Sequence, residues 1–110
     1  MIGVSGSLAG SLCLSMSEAT ALGLVSGMLG QPATTLDELA QSGIAELANV
    51  VAGRAGIVFA EEGMSTNITP PLLLIGSGAR LSSVEILRLA VPLETVAGTV
   101  RLHIVLRETA

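Results

Sequence analysis

One polar line on a predicted helix carries the residues of this sequence that are best suited to chemistry. At about 100° per residue, Ser42, Glu46, Asn49 and Gly53 fall on one line along the helix surface. A carboxamide can donate a hydrogen bond to a water molecule and accept one from it, and a carboxylate can pair with a cation. The spacing therefore predicts an outward-facing pair, Glu46 and Asn49, that another macromolecule could approach.

The opposite side of the same helix is predicted to face a core. Its apolar residues recur at spacings of three and four, and they are Leu36, Ala40, Ile44, Leu47, Val51, Ala55 and Val58. The residues predicted beside the polar line have small side chains, which would let a partner come close to it. They are Ala45, Ala52, Gly53 and Gly56. Every amphipathic helix has a solvated face, however, and a Glu and an Asn often occur there by chance.

Three glycines in this helix favour a functional interpretation. A glycine in a helix interior costs about 1 kcal/mol relative to alanine, so Gly43, Gly53 and Gly56 need a reason. Gly43 lies on the flank of the apolar stripe, where we expect a close helix contact. Gly53 lies on the polar line, where core packing does not explain it.

The motif Ser42-x-x-x-Glu46-x-x-Asn49-x-x-x-Gly53 resembles the helix motif of the CheC/CheX/FliY chemotaxis phosphatases. Two further segments narrow the resemblance to CheX: residues 68–76 (Ile-Thr-Pro-Pro-Leu-Leu-Leu-Ile-Gly) are similar to a strand of that family, and residues 3–12 to its opening hairpin. The resemblance covers nearly the whole chain in the right order. CheX-like proteins usually have an additional helix and strand before the hairpin, and this sequence starts at the hairpin.

The resemblance implies a substrate and a role for each residue of the motif. The substrate would be a phosphorylated receiver domain of the CheY type, and the reaction the hydrolysis of its aspartyl phosphate. Asn49 would position the attacking water and Glu46 would contact the receiver's active-site lysine. Gly53 and Ser42 would belong to the partner-binding surface, although the Ser42 hydroxyl could instead bond the Glu38 carbonyl.

No metal or cofactor is expected in this chain itself. An acyl phosphate is already reactive, and the receiver holds the Mg²⁺ that neutralises the phosphoryl oxygens. A CheX-like protein that acts on the receiver therefore needs only to place a water molecule in line with the leaving carboxylate. A general-base role for Glu46 is less attractive, because an exposed carboxylate is a weak base.

Two functions of other kinds stay open. The chain could be a non-catalytic module that binds a receiver or a flagellar switch component with the same fold. It could also be a structural dimer module of a larger assembly, which its high apolar content favours. We expect a homodimer that joins two sheets at a strand edge, because unpaired edge amides and carbonyls favour such pairing.

Composition excludes several other classes. The chain has 110 residues, which predicts a single domain over 1–110. All basic residues are arginines, so a P-loop or a Schiff base, which need a lysine, is excluded. With a net charge of −4 and one aromatic residue, nucleic-acid binding is not expected. Cys13 and His103 are each the only residue of their type, so neither a disulfide nor a zinc site is predicted.

No targeting segment or membrane span is predicted, and we expect a cytoplasmic protein. The amino end has no positive charge before its apolar stretch. The longest uninterrupted apolar run is four residues, as in Leu72 to Ile75, which is far short of the length that a membrane span requires.

The pattern along the chain predicts an α+β fold of the CheC-like kind, with two helices packed on an antiparallel sheet built from N- and C-terminal hairpins. The first hairpin turns near residues 6–10 and precedes a helix that Ser17 caps and Gly30 ends. A capping box of Thr35 and Glu38 opens the second helix, which could continue to Glu62. Residues 68–75 form a strand whose prolines place it at an edge, and strands over 84–93 and 98–107 form the last hairpin.

Overall fold

The computed structural model describes residues 1–76 and 88–109, and it shows two helices packed on a five-stranded antiparallel sheet. The elements in chain order are β1 (Ile2–Gly6), β2 (Leu8–Ser15), α1 (Glu18–Leu29), α2 (Glu38–Glu61), β3 (Thr66–Ile68), β4 (Arg88–Thr95) and β5 (Gly98–Glu108). The strand order is β3-β1-β2-β5-β4, so the two terminal hairpins meet where β2 pairs with β5. The predicted α+β class and its construction from two hairpins are confirmed.

The first hairpin turns at the glycine-rich segment, as predicted. Ile2 lies opposite Leu12, and Val4 lies opposite Gly10. Gly10 has a φ of +151°, and a Cβ at this position would overlap the carbonyl oxygen of Val105. Only glycine therefore allows β2 to run this close to β5.

The boundaries of α1 agree with the sequence. The Ser17 hydroxyl accepts a hydrogen bond from the Thr20 amide at 3.1 Å, which satisfies one of the free donors at the start of the helix. Gly30 ends the helix in the left-handed region with a φ of +69°, and its amide donates to the Ser26 carbonyl.

The predicted capping box at the start of α2 is wrong. The N-cap is Asp37, whose carboxylate accepts from the Ala40 amide at 2.9 Å, and the helix begins at Glu38. Thr35 therefore precedes the cap. The helix continues through Gly53 and Gly56 without a break and ends at Glu61.

The buried face of α2 differs from the predicted stripe. Val58 is 47% exposed, whereas Ala52, which was predicted beside the polar line, is 2% exposed. The cause is a change of partner along the helix. The first half packs against α1 through Ala40 and Ile44, while the second half packs against the sheet. The sheet-facing residues from the middle of the helix onwards are mostly small, and they are Ala48, Ala52, Ala55 and Phe59.

By length and composition alone, α2 is apolar enough to cross a membrane, and it is the only such helix among the described residues. Only 11% of its 18-residue apolar window is buried, and Val50, Ile57 and Val58 are among the exposed residues of the helix. In this fold its buried positions contact other elements of the same chain, as expected of a helix on a sheet.

The strand predicted over residues 68–75 is wrong, because the observed edge strand lies before the prolines and shares only Ile68 with it. Regular pairing covers Thr66–Ile68 on the outer side of β1, and it ends before Pro70 and Pro71. Beyond them the Leu72 amide donates to the Met1 carbonyl. The position at the sheet edge is confirmed, and the residues after Ile68 are not a regular strand.

The last hairpin has the register that alternation predicts. Leu89, Val91 and Leu93 lie opposite Ile104, Leu102 and Val100. The predicted start of the strand at 84–87 lies outside the described residues. Leu89 and Leu93 are exposed on the edge strand β4, whereas the two helices pack mainly against β1, β2, β3 and β5.

Candidate functional site on helix α2

All four residues of the predicted polar line lie in α2 and away from the core. Ser42, Glu46 and Gly53 are exposed, and Asn49 is half-buried. The N-cap at Asp37 and the packing of Ile44 and Ala52 set the rotation of the helix about its axis. The line therefore faces solvent, as the spacing predicted.

The Glu46 carboxylate and the Asn49 carboxamide have no partner within the described part of the chain. Neither group makes a hydrogen bond or an ion pair with residues 1–76 or 88–109. The expected bond from the Ser42 hydroxyl to the Glu38 carbonyl is also not formed among these residues. These polar groups are therefore not used to hold the fold together, and they are available to a partner.

The glycines of α2 separate into two kinds. A Cβ on Gly43 would lie 3.5 Å from the Val25 side chain, an ordinary van der Waals distance, so Gly43 lies against α1 as the sequence predicted. A Cβ on Gly53 would meet nothing within 4 Å. Within the described residues, Gly43 therefore faces a neighbouring helix and Gly53 faces open space, and a Cβ would fit at either position.

The small residues that were predicted beside the polar line are not all exposed. Ala52 is buried against the sheet, and Gly56 is half-buried, with the Thr66 hydroxyl 3.5 Å from where its Cβ would be. Of the small residues predicted there, Gly53 is the one that is exposed, while Ala45 is half-buried.

Two apolar side chains flank the polar line, and sequence reasoning did not select them. Val50 is 59% exposed and Ile57 is 51% exposed. They are seven residues apart with Gly53 between them, which places all three on one side of the helix. That spacing was the available signal, but the same residues could equally have belonged to a core stripe.

The other chemistry-bearing residues lie on the sheet. Cys13 lies opposite His103 on the paired strands β2 and β5, and His103 Nε2 is 2.9 Å from the Ser15 hydroxyl. Within residues 1–76 and 88–109, no group of three or more His, Cys, Asp or Glu side chains is placed to hold a metal ion.

The arrangement on α2 can perform two chemical tasks. An outward carboxamide can hold a water molecule by donating to it and accepting from it, and an outward carboxylate can pair with a cation. Both groups lie on a rigid helix of 24 residues, within about one turn of each other. The helix can therefore present both groups together to a site on another protein.

The family model described as Chemotaxis phosphatase CheX matches residues 1–94. The chain is 40% identical over 84 residues to the CheY-P phosphatase CheX of Thermotoga maritima, covering 76% of this chain and 54% of the relative. It thus spans about half the length of that curated relative.

Solved structures agree with the sequence comparison. The CheX–CheY–BeF3–Mg²⁺ complex from Borrelia burgdorferi matches with a TM-score of 0.83 and 26% identity, over 97% of this chain and 73% of that one. The chemotaxis protein CheX from Vibrio vulnificus matches with a TM-score of 0.86 and 26% identity, over 96% and 72%. The chain belongs to the CheX family of chemotaxis phosphatases.

Proposed function

We propose that this protein hydrolyses the aspartyl phosphate of a CheY-type response regulator in chemotaxis or a related two-component pathway. The observation that carries the proposal is the outward pair Glu46 and Asn49, which has no partner among the described residues. Two relatives support the choice of substrate. The Thermotoga relative is named a CheY-P phosphatase, and the Borrelia relative was solved in complex with CheY.

In the proposed reaction, Asn49 holds a water molecule in line with the bond that breaks. The water oxygen attacks phosphorus, and the bond between phosphorus and the aspartate oxygen breaks. The receiver regains its carboxylate, and inorganic phosphate leaves with the oxygen of the water and its protons. Positioning supplies much of the rate enhancement, because a water molecule held in line turns the bimolecular attack on phosphorus into an effectively unimolecular step within the complex.

Glu46 serves the docking step. Its exposed carboxylate pairs with a cationic group of the receiver, which the resemblance identifies as the active-site lysine. A charge pair at an interface fixes register and accelerates association. The chain itself carries a net charge of −4, which suits a partner with a cationic surface.

Ser42 and Gly53 complete the partner-binding surface at the two ends of the line. Gly53 acts through its lack of a side chain, because a Cβ there would stand in open space between the helix and the partner. Ser42 offers an exposed hydroxyl one turn before Glu46. We propose no cofactor for this chain, and the Mg²⁺ of the reaction belongs to the receiver.

A homodimer and a cytoplasmic location are part of the proposal. The sheet has two edge strands, β3 and β4, and apolar side chains lie exposed at both, including Ile68 and Leu89. Exposed edges favour pairing with a second copy. Light scattering at micromolar concentration tests this, and a monomer of 11.1 kDa would contradict it.

The second candidate is a non-catalytic module that binds a receiver or a flagellar switch component. The exposed apolar residues around the polar line, Val50 and Ile57, suit docking whether or not hydrolysis follows. Phosphate release from a phosphorylated CheY-type receiver, with Mg²⁺ and with EDTA, separates the two candidates. Acceleration by this protein in Mg²⁺ supports the phosphatase, and binding without acceleration supports the module.

A further inference from the structure

A groove of about 520 Å³ lies between the second half of α2 and the edge strand β3. Its floor and walls are formed by small and apolar residues, including Ala52, Gly53, Gly56, Ile57, Met64 and Ile68. None of its described lining residues carries a charge. The groove is therefore suited to an apolar side chain rather than to an ionic group.

Two helix glycines keep this groove open. Gly53 has nothing within 4 Å of its Cβ position, and Gly56 has only the Thr66 hydroxyl, at 3.5 Å. An alanine would therefore fit sterically at either site and would favour the helix. Glycine at both positions widens the groove without a packing contact that requires it.

The groove is continuous with the Glu46/Asn49 line, because Gly53 belongs to both. At about 1.5 Å per residue, Gly53 lies about 6 Å and Ile57 about 12 Å from Asn49 along the helix axis. A specific interface covers about 800 Å² on each partner, which corresponds to a disc of about 16 Å radius. A receiver centred on Asn49 would thus reach the groove.

We propose that this groove seats an apolar side chain of the receiver domain, from the receiver's surface beside its phosphorylated aspartate. The inference rests on the proposed function, and it assigns a second contact to the same partner. The Glu46/Asn49 pair presents polar groups to the phosphorylation site, and the groove beside Ile57 anchors the receiver by apolar burial. Such an anchor contributes to affinity and leaves the hydrolysis step unchanged.

The test compares two neighbouring β-branched residues of α2, Ile57 and Val58. Ile57→Asp places a carboxylate at the groove wall, and Val58→Asp places the same charge one residue away, at a side chain that is 47% exposed and does not line the groove. Both side chains are exposed, so both variants should keep the thermal unfolding midpoint of the wild type. Only Ile57→Asp alters the lining of the groove.

The first measurement is the affinity for a CheY-type receiver charged with beryllofluoride and Mg²⁺. The second is the half-saturating concentration and the saturating rate of phosphate release from the phosphorylated receiver. Ile57→Asp should weaken binding and raise the half-saturating concentration about tenfold or more, with the saturating rate unchanged. Val58→Asp should stay within about twofold of the wild type.

A milder variant guards against an indirect effect of the charge. Gly56→Ala partly fills the groove with a methyl group, and we expect a rise of about threefold in the half-saturating concentration together with an unchanged or higher unfolding midpoint. Equal behaviour of Ile57→Asp and Val58→Asp would overturn the groove assignment.

Two other outcomes would also overturn it, and they are distinguishable. If Ile57→Asp changes only the oligomeric state, as measured by sedimentation, the groove belongs to a contact between two copies of the protein. If the wild type neither binds the charged receiver nor releases phosphate, the proposed function fails and the groove assignment fails with it.

Discussion

The two faces of α2 use the same few residue types for opposite purposes. On the inner face, Gly43 lies against Val25 of α1, and Ala52 is buried against the sheet. On the outer face, Gly53 is equally small but has no neighbour within 4 Å of its Cβ position. The inner face accounts for stability, and the outer face has polar groups and open space that the fold does not use. Substitutions on the two faces should therefore separate stability from function.

The largest expected effect is on the outer face, at Asn49. Asn49→Ala should lower the accelerated rate of dephosphorylation by about 10²–10³, because a well-placed polar group that acts on the transition state is lost. The thermal unfolding midpoint should be unchanged or slightly higher, since alanine favours a helix and no hydrogen bond within the described residues is broken. Phosphate release and the unfolding midpoint, measured on the same sample, check this prediction.

The next effect is on the inner face, at Ala52. Ala52→Leu should destabilise the fold by about 1–3 kcal/mol, because it adds bulk among buried residues of the sheet. Val58→Leu is the matched control, since it adds a methylene at an exposed position of the same helix. Urea denaturation measures both. Equal stability of the two variants would show that the helix faces the sheet with a different side.

Glu46→Ala should weaken receiver binding, whereas Asn49→Ala should lower the rate of hydrolysis within the complex. The carboxylate contributes to docking, so binding of the receiver and the rate at low concentration should fall together, by about tenfold. The effect should shrink as salt concentration rises, because exposed charges are screened. A titration at two ionic strengths measures this. A lower saturating rate with unchanged affinity would instead give Glu46 a direct part in the reaction.

The smallest effect comes from the same substitution at two glycines. Gly53→Leu should weaken receiver binding several-fold and keep or raise stability, because leucine favours the helix and meets no neighbour. Gly43→Leu should lower stability, because its side chain would grow into Val25 of α1. Unfolding midpoints of the two variants give the comparison. A loss of stability in Gly53→Leu would show that this face is packed.

Local signals predicted much of the fold correctly. Ser17 and Gly30 are an N-cap and a C′ glycine with one physical role each, so their positions determined the ends of α1. Alternation of apolar residues predicted the register in which Leu89 faces Ile104. The prolines at 70 and 71 placed their segment at a sheet edge, because they lack the amide that an inner strand needs.

Features that depend on which elements approach one another were predicted less well. Thr35 and Asp37 are both good N-cap residues, and only the observed bond to the Ala40 amide distinguishes them. The buried side of α2 was assigned to bulky residues such as Val58, whereas the close approach to the sheet selects Ala52. The groove beside Ile57 depends on the distance between α2 and β3, which sequence spacing does not contain.

The central claim is that the outer face of α2 binds the phosphorylated receiver and positions water through Asn49. The most direct test is a titration of phosphate release from an Mg²⁺-bound, phosphorylated CheY-type receiver with the wild type and Asn49→Ala. We predict a half-saturating concentration close to that of the wild type and a plateau near the receiver's own rate of hydrolysis. A plateau for Asn49→Ala equal to that of the wild type would contradict the mechanism and favour a binding module.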